Sequence, residues 1–403
     1  MIPVNEALQI ISAETSPLNP ESVALTEALG RVLAEEIRAD SDLPPFDRSQ
    51  MDGYAIRAED VATTPARLRI AGESAAGRGW HHQLEAGAAV RIMTGAPVPA
   101  GADSVQQVEL TRELENRSIV EILESVSPGR SIVKRGSEIN SGEIVLRAGE
   151  RINSAMVAVL ASFGYANVNV ATRPRVAILA TGPELVPVDQ KPGQDQIRDS
   201  NNYSIDAYAK LAGAETELLP LAGDDIEGLK RTIASAAERA DLVVTSGGVS
   251  MGIYDFTKAA LKQLGAEIFF ERVALRPGKP TVFGRLPGGT LVFGLPGNPV
   301  SVSVTFNLFA RPCLLQMQGA TQTQLTELSA LLAGPIKGSS DRESYLPAEL
   351  TTNDQGQLLA KPLKWGGSSD FVAFARTAAL IIVPTRVTSL APGDTVRLLE
   401  LPD

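Results

Sequence analysis

The spacing of apolar positions changes character along this chain, and each change predicts a different kind of structure. Near the start, Val4, Leu8 and Ile11 recur at helical intervals. Val23, Leu25, Leu29, Val32 and Leu33 do so again after Asn19-Pro20, so two helices are expected. The stretch SDLPPFDRSQMDGYA (41–55) interrupts the pattern, because Pro44-Pro45 cannot continue a helix. From 54 to 150, short alternating runs (RLRI, AVRIM, SIVEIL, EIVLR) stand between Gly/Pro turns, which predicts a β-rich module. Residues 153–164 predict a helix closed by Gly164.

Residues 175–318 then alternate strand and helix. RVAILATG reads as a strand, and SNNYSIDAYAKLAG as a helix capped by Ser200 or Asp199 and ended by Gly213. TELLPLAG, DLVVTSGG, IFFERVAL, PTVFG and TLVFG supply further strands. DIEGLKRTIASAAERA and DFTKAALKQLG are amphipathic helices, and NPVSVSVTFNLFARPCLLQMQG is one long final helix. This is the signature of a doubly wound α/β sheet, which binds ligands at the carboxyl ends of its strands. After about residue 322 short strands return (LLAKPLKW, AALIIVP, DTVRLLEL), predicting a small β module.

A length of 403 residues suits two to four domains. No run approaches the ~20 apolar residues of a membrane span. MIPVNEALQIISAET has an acid at position 6 and no basic start, so no signal peptide is expected. The single cysteine, Cys313, suits a reducing cytoplasm; it lies in an apolar helix with no basic neighbour, so it reads as a core residue. His81-His82 is adjacent rather than at i, i+4, which argues against a metal site there. The net charge of −10 argues against a general nucleic-acid binder. An anionic ligand would have to be held by a local cluster of cations.

Such a cluster is visible in three Gly/Pro-punctuated phrases, TSGGVSMGIYDFTK (245–258), LRPGKPTVFG (275–284) and FGLPGNPVS (293–301). Each is read as joining a strand-like run to a helix-like run, where backbone N–H groups cradle anions. With Asp255, Lys258, Arg276 and Lys279 among them, they point to a phosphate-bearing ligand and a metal. Asp255 is otherwise a plain N-cap, Glu184 a loop glutamate, and Asp224 a turn residue. As a set, three carboxylates at strand ends suit magnesium, since hard cations choose oxygen ligands. Arg272, Arg276 and Lys279 are either a solvated basic loop or the counter-charge for a tetrahedral oxyanion. Asp52 stands in an Asp-Gly turn, and Thr94 offers a strand-end hydroxyl.

Taken in order, PPFDRSQMDGYA, RIMTGAPVPAGAD, TGPEL, RDSNN, SGGVSMGIYDFTK, LRPGKP and GLPGNPVS resemble the molybdopterin molybdenumtransferase family, that is MoeA and the E domain of gephyrin. The resemblance extends over nearly the whole chain. It implies a segmented, elongated N-terminal domain (1–45 and 143–173), an inserted β-rich domain (46–142), a central molybdopterin-binding-like α/β domain (174–322) and a C-terminal β-barrel (323–403). It also implies a cytoplasmic homodimer with its active site between subunits, and transient contact with molybdopterin adenylyltransferase and molybdoenzyme chaperones. The implied reaction inserts molybdate into adenylylated molybdopterin, cleaves the adenylyl bond with Mg2+, and releases AMP and molybdenum cofactor.

Carried over residue by residue, the resemblance assigns catalysis to Asp52, Thr94, Glu184 and Asp255. Metal binding falls to Asp255, Glu184, Asp224 and Glu138. Substrate binding falls to Ser246, Gly247, Gly248 and Ser250, to Arg272, Arg276 and Lys279, and to Pro296, Gly297 and Asn298. Asn298 is also expected to cap the last helix, and Asn201, with Asp199 beside it, is either a substrate contact or a cap. Arg342 and Ser368 match weaker patterns in the C-terminal module.

Three positions depart from the family. Glu138 stands where aspartate is usual, Pro183 replaces a common Asp or Asn, and Ile253 replaces an acid. They leave room for a paralogue with a changed substrate, and a catalytically silent binding or scaffold protein is a separate alternative reading. The α/β region also resembles molybdopterin adenylyltransferase, although the flanking β modules do not fit a stand-alone enzyme of that kind.

Overall fold

In the computed structural model, which describes residues 1–221, 225–248, 256–364 and 366–402, the runs RVAILA and LVVTS are buried at nearly every position. Strands apolar at each residue, rather than every second one, belong to a sheet covered on both faces. That sheet comprises β1 (Arg175–Ala180), β2 (Glu215–Leu218), β3 (Leu242–Ser246), β4 (Glu267–Phe270), β5 (Val282–Arg285) and β6 (Leu291–Leu295). Their order is β2-β1-β3-β6-β5-β4. The first four are mutually parallel; at one edge β5 pairs antiparallel with β6, and β4 antiparallel with β5. On one face Val176, Ile178 and Val244 pack with Ile205 and Ala209 of helix α1 (Asn201–Leu211). On the other, Ala177, Leu179 and Val243 meet Leu229 and Ile233 of α2 (Ile226–Ala237) and Ala260 of α3 (Phe256–Gln263). The expected doubly wound α/β architecture is present.

The expected long final helix is also present, with an adjustment. It starts as α4 (Pro299–Thr305), widens into a π turn over Phe306–Ala310, and resumes over Arg311–Met317. Pro312 has no N–H to give the preceding turn, and a π turn absorbs that loss. Cys313 is buried on this helix with its Sγ 3.3 Å from Thr15 Oγ1, and burial pushes its thiol up to about 12.

After it, β7 (Glu327–Leu332), β8 (Glu343–Thr352), β9 (Leu358–Pro362), β10 (Ala379–Val383) and β11 (Thr395–Glu400) run in the order β8-β9-β7-β11-β10, and β10 pairs back to β8. That pairing closes a small five-stranded barrel. The strand Leu275–Arg276 leaves the α/β region and pairs in parallel with the start of β8. LRPGKPTVFG therefore joins strand to strand, not strand to helix as its punctuation suggested. Pro277 and Pro280 disfavour a helix, and the partner of Leu275 lies almost 70 residues ahead at Glu343.

The chain divides into two compact units, one of Met1–Glu35, Ala148–Asn153 and Asn167–Asp403, the other of Glu36–Arg147 and Ser154–Ala166. The second holds a six-stranded sheet, in the order Ser104–Gln107, Gly53–Ile56, Ala88–Ile92, Ala66–Ser74, Ile119–Ile122, Thr111–Leu114. Alternate residues feed separate cores, Ala55, Val90 and Val105 in one, Tyr54, Ile56 and Ala89 in the other. The expected helix Ser154–Ser162 lies in this unit.

The first predicted helix forms over Val4–Glu14. The second does not. Pro20–Ala24 is a strand antiparallel to Asn167–Ala171, followed by the 3-10 turn Leu25–Glu27. A helical stripe requires Leu29 inside, yet it is 59% exposed while Leu33 is 1% exposed. Pairing with a distant strand overrides the local period. Among the described residues, no helix is long and apolar enough to cross a membrane.

Candidate functional site

Parallel registry sets the carboxyl ends of β1, β3 and β6 side by side, so that Thr181, Gly247 and Pro296 leave the sheet at one edge. Their loops, the turn 276–280 and barrel residues 335–337, 342, 346–347, 362–363, 366–369 and 371 line a cleft of about 1880 Å³. This is where an α/β sheet receives ligands.

The cleft loops are locked by backbone. Thr181 N donates to Ser246 O (2.9 Å) and Gly247 N to Leu295 O (3.2 Å), so the three strand ends are stitched together. Gly247 has φ +89°, and a Cβ there would lie 2.3 Å from Thr181 O. Gly278 has φ +113°, and a Cβ would meet Thr305 Cγ2 at 2.3 Å. Both sites favour glycine, because the left-handed backbone disfavours a side chain and the close approach leaves no room for one.

The electrostatics of the lining oppose those of the chain. Arg198, Arg276, Lys279, Lys337 and Arg342 line the cleft, against the carboxylates Glu184 and Asp199 among the described residues. A concave site of one sign concentrates ions of the other. In a chain of net charge −10, a cationic cleft marks the place for an anion. Arg342 also pairs with Asp341 at 3.3 Å.

Asp199 is 4% exposed, and its Oδ1 accepts from Asn202 N at 3.1 Å. Burial pushes its carboxyl up, against the opposing pull of backbone N–H bonds from Asn202 and Asn201. It thus serves as the cap acceptor of α1, whereas Ser200 makes no side-chain cap bond. Asn201 Nδ2 donates to Gly297 O at 2.8 Å, tying α1 to the loop after β6. Asn201 Oδ1 and Ser246 Oγ are buried without a partner among the described residues. Asn298 stands at the N-cap of α4, but its side chain does not cap the helix as expected. Its Nδ2 donates to Ser368 Oγ instead, at 2.7 Å.

The cleft gathers Glu184, Asn201, Ser246, Gly247 and Gly248 from the sheet side, and Arg276 and Lys279 from the proline turn. Pro296, Gly297 and Asn298 join from the loop before α4, and Arg342 and Ser368 from the barrel. Arg272 is not among the lining residues; its carbonyl accepts from Ile2 N at 3.0 Å. Asp224, Ser250 and Asp255 lie outside the described residues. Sequence reasoning passed over Arg198 and Lys337. Arg198 opens the RDSNN phrase and was open to notice; Lys337 sits in a two-residue strand that no motif distinguishes.

Three family models cover most of the chain. The MoeA N-terminal region (domains I and II) matches residues 2–164, a probable molybdopterin-binding domain matches 177–316, and the MoeA C-terminal region (domain IV) matches 329–401. A molybdopterin molybdenumtransferase of Nostoc sp. is 36% identical, covering 99% of this chain and 92% of the relative. The chain belongs to the MoeA family. The molybdopterin molybdenumtransferase of Bacillus subtilis is likewise 36% identical over 99% of this chain and 94% of its own length. That of Haemophilus influenzae is 34% identical over 95% and 94%. Among solved structures, two of the molybdopterin biosynthesis MoeA protein from Pyrococcus horikoshii superpose with TM-scores of 0.82 and 0.86. They are 32% and 29% identical and cover 99% of both chains and 100% of both chains, respectively. The family is one of enzymes, and this chain is a MoeA-type enzyme.

In the other unit of this MoeA-family chain, two residues named from separate motifs meet. Thr94 donates to Asp52 Oδ1 from its backbone N at 2.6 Å and from its hydroxyl at 2.8 Å. These bonds, the backbone one first, hold the Asp52 carboxyl below the usual carboxylate range. Glu138, by contrast, pairs with Arg48 at 3.3 Å. Thr94→Val keeps the backbone donor and removes the hydroxyl, so the Asp52 pKa rises toward its ordinary value. Because the folded-state pKa is depressed, the carboxylate's stabilising bonds persist above the unfolded pKa and fade as pH falls through the folded one. A carboxyl-carbon NMR titration is expected to show Asp52 protonating at higher pH in Thr94→Val; an unmoved curve would mean that the hydroxyl contributes nothing.

Proposed function

We propose that this chain inserts molybdate into adenylylated molybdopterin, with cleavage of the adenylyl bond and release of AMP and molybdenum cofactor. The observation that carries this reading is the cationic cleft at the carboxyl edge of the sheet of an acidic protein. Both molybdate and the substrate's phosphates are tetrahedral oxyanions, and Arg276, Lys279 and Arg342 are suited to charge-assisted hydrogen bonds with them. Gly247, Gly248 and Gly297 allow the backbone to approach a pyrophosphate closely. Asp52 and Thr94 are assigned to the same reaction as a hydrogen-bonded pair, with Ser246, Asn201 and Ser368 as substrate contacts.

Magnesium belongs to the proposal too. Among the described residues no group of three or more His, Cys, Asp or Glu side chains could hold a metal ion. Glu184 is an exposed carboxylate in the cleft and fits as an oxygen donor, while Asp224 and Asp255 lie outside the described residues and Glu138 is engaged by Arg48. Bound there, the ion would offset the pyrophosphate charge and polarise the bond to be broken. The reading extends to a four-domain chain with the boundaries given above, acting as a cytoplasmic homodimer that meets molybdopterin adenylyltransferase and molybdoenzyme chaperones transiently.

The test is AMP release from adenylylated molybdopterin by the purified chain with magnesium, with and without molybdate. Molybdate-stimulated release with active cofactor formed supports the transferase. Tight binding without release would make the chain a binding paralogue, and synthesis of adenylylated molybdopterin from ATP would make it an adenylyltransferase.

A further inference from the structure

A serine hydroxyl has one proton to donate and two lone pairs to accept with, so a neighbour that donates to it dictates where its own proton points. Ser368 is in that position. Asn298 Nδ2 donates to its Oγ at 2.7 Å, and Val300 N donates to its carbonyl at 3.0 Å. The short loop around it is closed by Gly366 N on Asp370 Oδ2 (2.8 Å) and Asp370 N on Gly367 O (3.0 Å). Ser368 is therefore gripped by backbone and side chain, from its own loop and from the start of α4. Among the described residues its hydroxyl donates no hydrogen bond to the protein, and it lines the same cleft as Arg276, Lys279 and Arg342.

We infer that Asn298 is a positioning residue that turns the Ser368 hydroxyl into a dedicated donor for an oxyanion in the cleft. An asparagine at an N-cap ordinarily accepts from the N–H groups of the first turn. Here the amide faces away from the helix and toward the barrel, and Pro299 at the helix start lacks one of those N–H groups in any case. Asn298 thus contributes little to α4, and its placement matters for what it does to Ser368. The inference rests on the anion-binding reading of the cleft, and the ligand chemistry it needs is a tetrahedral oxyanion, either free molybdate or the phosphate of an adenylyl group.

Polarity reversal tests it. Asn298→Asp preserves the shape of the residue but offers an acceptor, which captures the Ser368 proton and withdraws it from the cleft. Binding of molybdate, and separately of AMP, is measured by equilibrium dialysis on the full chain for wild type, Asn298→Ala, Asn298→Asp, Ser368→Ala and the Asn298→Ala/Ser368→Ala double variant. A hydrogen bond to a charged group corresponds to about a tenfold or greater change in affinity. Ser368→Ala and Asn298→Ala are expected to weaken binding of one oxyanion by about tenfold, and Asn298→Asp by more. The double variant should match Ser368→Ala, because Asn298 acts only through the hydroxyl. The ligand that responds, molybdate or AMP, identifies the oxyanion that Ser368 contacts. If wild type binds and Asn298→Asp binds equally well, or if the two alanine effects simply add, the positioning role is wrong while the cleft reading stands. If wild type binds neither molybdate nor AMP, both fall.

Discussion

Lys279→Met lowers kcat/KM for molybdate-dependent AMP release by about 10²–10³-fold, the loss typical when one preorganised donor to developing negative charge is removed. The magnitude follows from how firmly the residue is seated. Its carbonyl accepts from both Val273 N (3.0 Å) and Thr281 N (3.1 Å), and the preceding Gly278 carbonyl accepts from Thr281 Oγ1 (2.7 Å). Three residues earlier, Arg276 is paired to Ser344 of β8. The side chain thus extends from a fixed base, and its ammonium needs little reorganisation to meet an oxyanion. Methionine keeps the length of the stem and deletes only the charge. The thermal midpoint should stay within about 2 °C of wild type, since the deleted group is not part of a core. Lys279→Arg restores charge without the compact geometry and should recover only part of the rate. Wild-type turnover in Lys279→Met would remove this residue from the anion site.

Gly247→Ala destabilises the chain by about 2–4 kcal/mol and reduces turnover at least about tenfold, because it combines backbone strain with a steric collision. The colliding atom is Thr181 O, 2.3 Å from the new methyl, and it belongs to backbone that is itself bonded to Ser246. Neither partner can move without disturbing the pairing of β1 with β3. Gly129 separates the two causes. It also has positive φ, +83°, but a Cβ there meets nothing within 4 Å. Gly129→Ala should cost only about 1 kcal/mol, the conformational part alone. Denaturant unfolding of the two variants is the measurement; equal losses would show that the close approach at the strand ends is unimportant.

Much of this protein was legible locally. The continuous apolar runs RVAILA and LVVTS announced a sheet buried on both faces, and the alternating runs between 54 and 150 announced the second sheet. The glycines after β3 and the PGK turn pointed to a cleft that holds Gly247, Gly248, Arg276 and Lys279 together. In each case the signal is short-range: a period of two or of about 3.6, or a turn that only Gly or Pro permits. Other features could be read only in three dimensions. Pro20–Ala24 looked helical and became a strand because its partner, Asn167–Ala171, lies far along the chain. Asn298 looked like a helix cap until Ser368, 70 residues away, supplied a better partner. Lys337 carries no motif at all and enters the cleft through the folding of the barrel. Asp52 and Thr94 are 42 residues apart, and only the sheet between them makes them a pair. By itself, then, the sequence determined the types of element and the loops that carry chemistry, because those depend on neighbours a few residues away. The tertiary structure decided which side chains converge and in which direction their hydrogens point, because that depends on pairings no local pattern encodes.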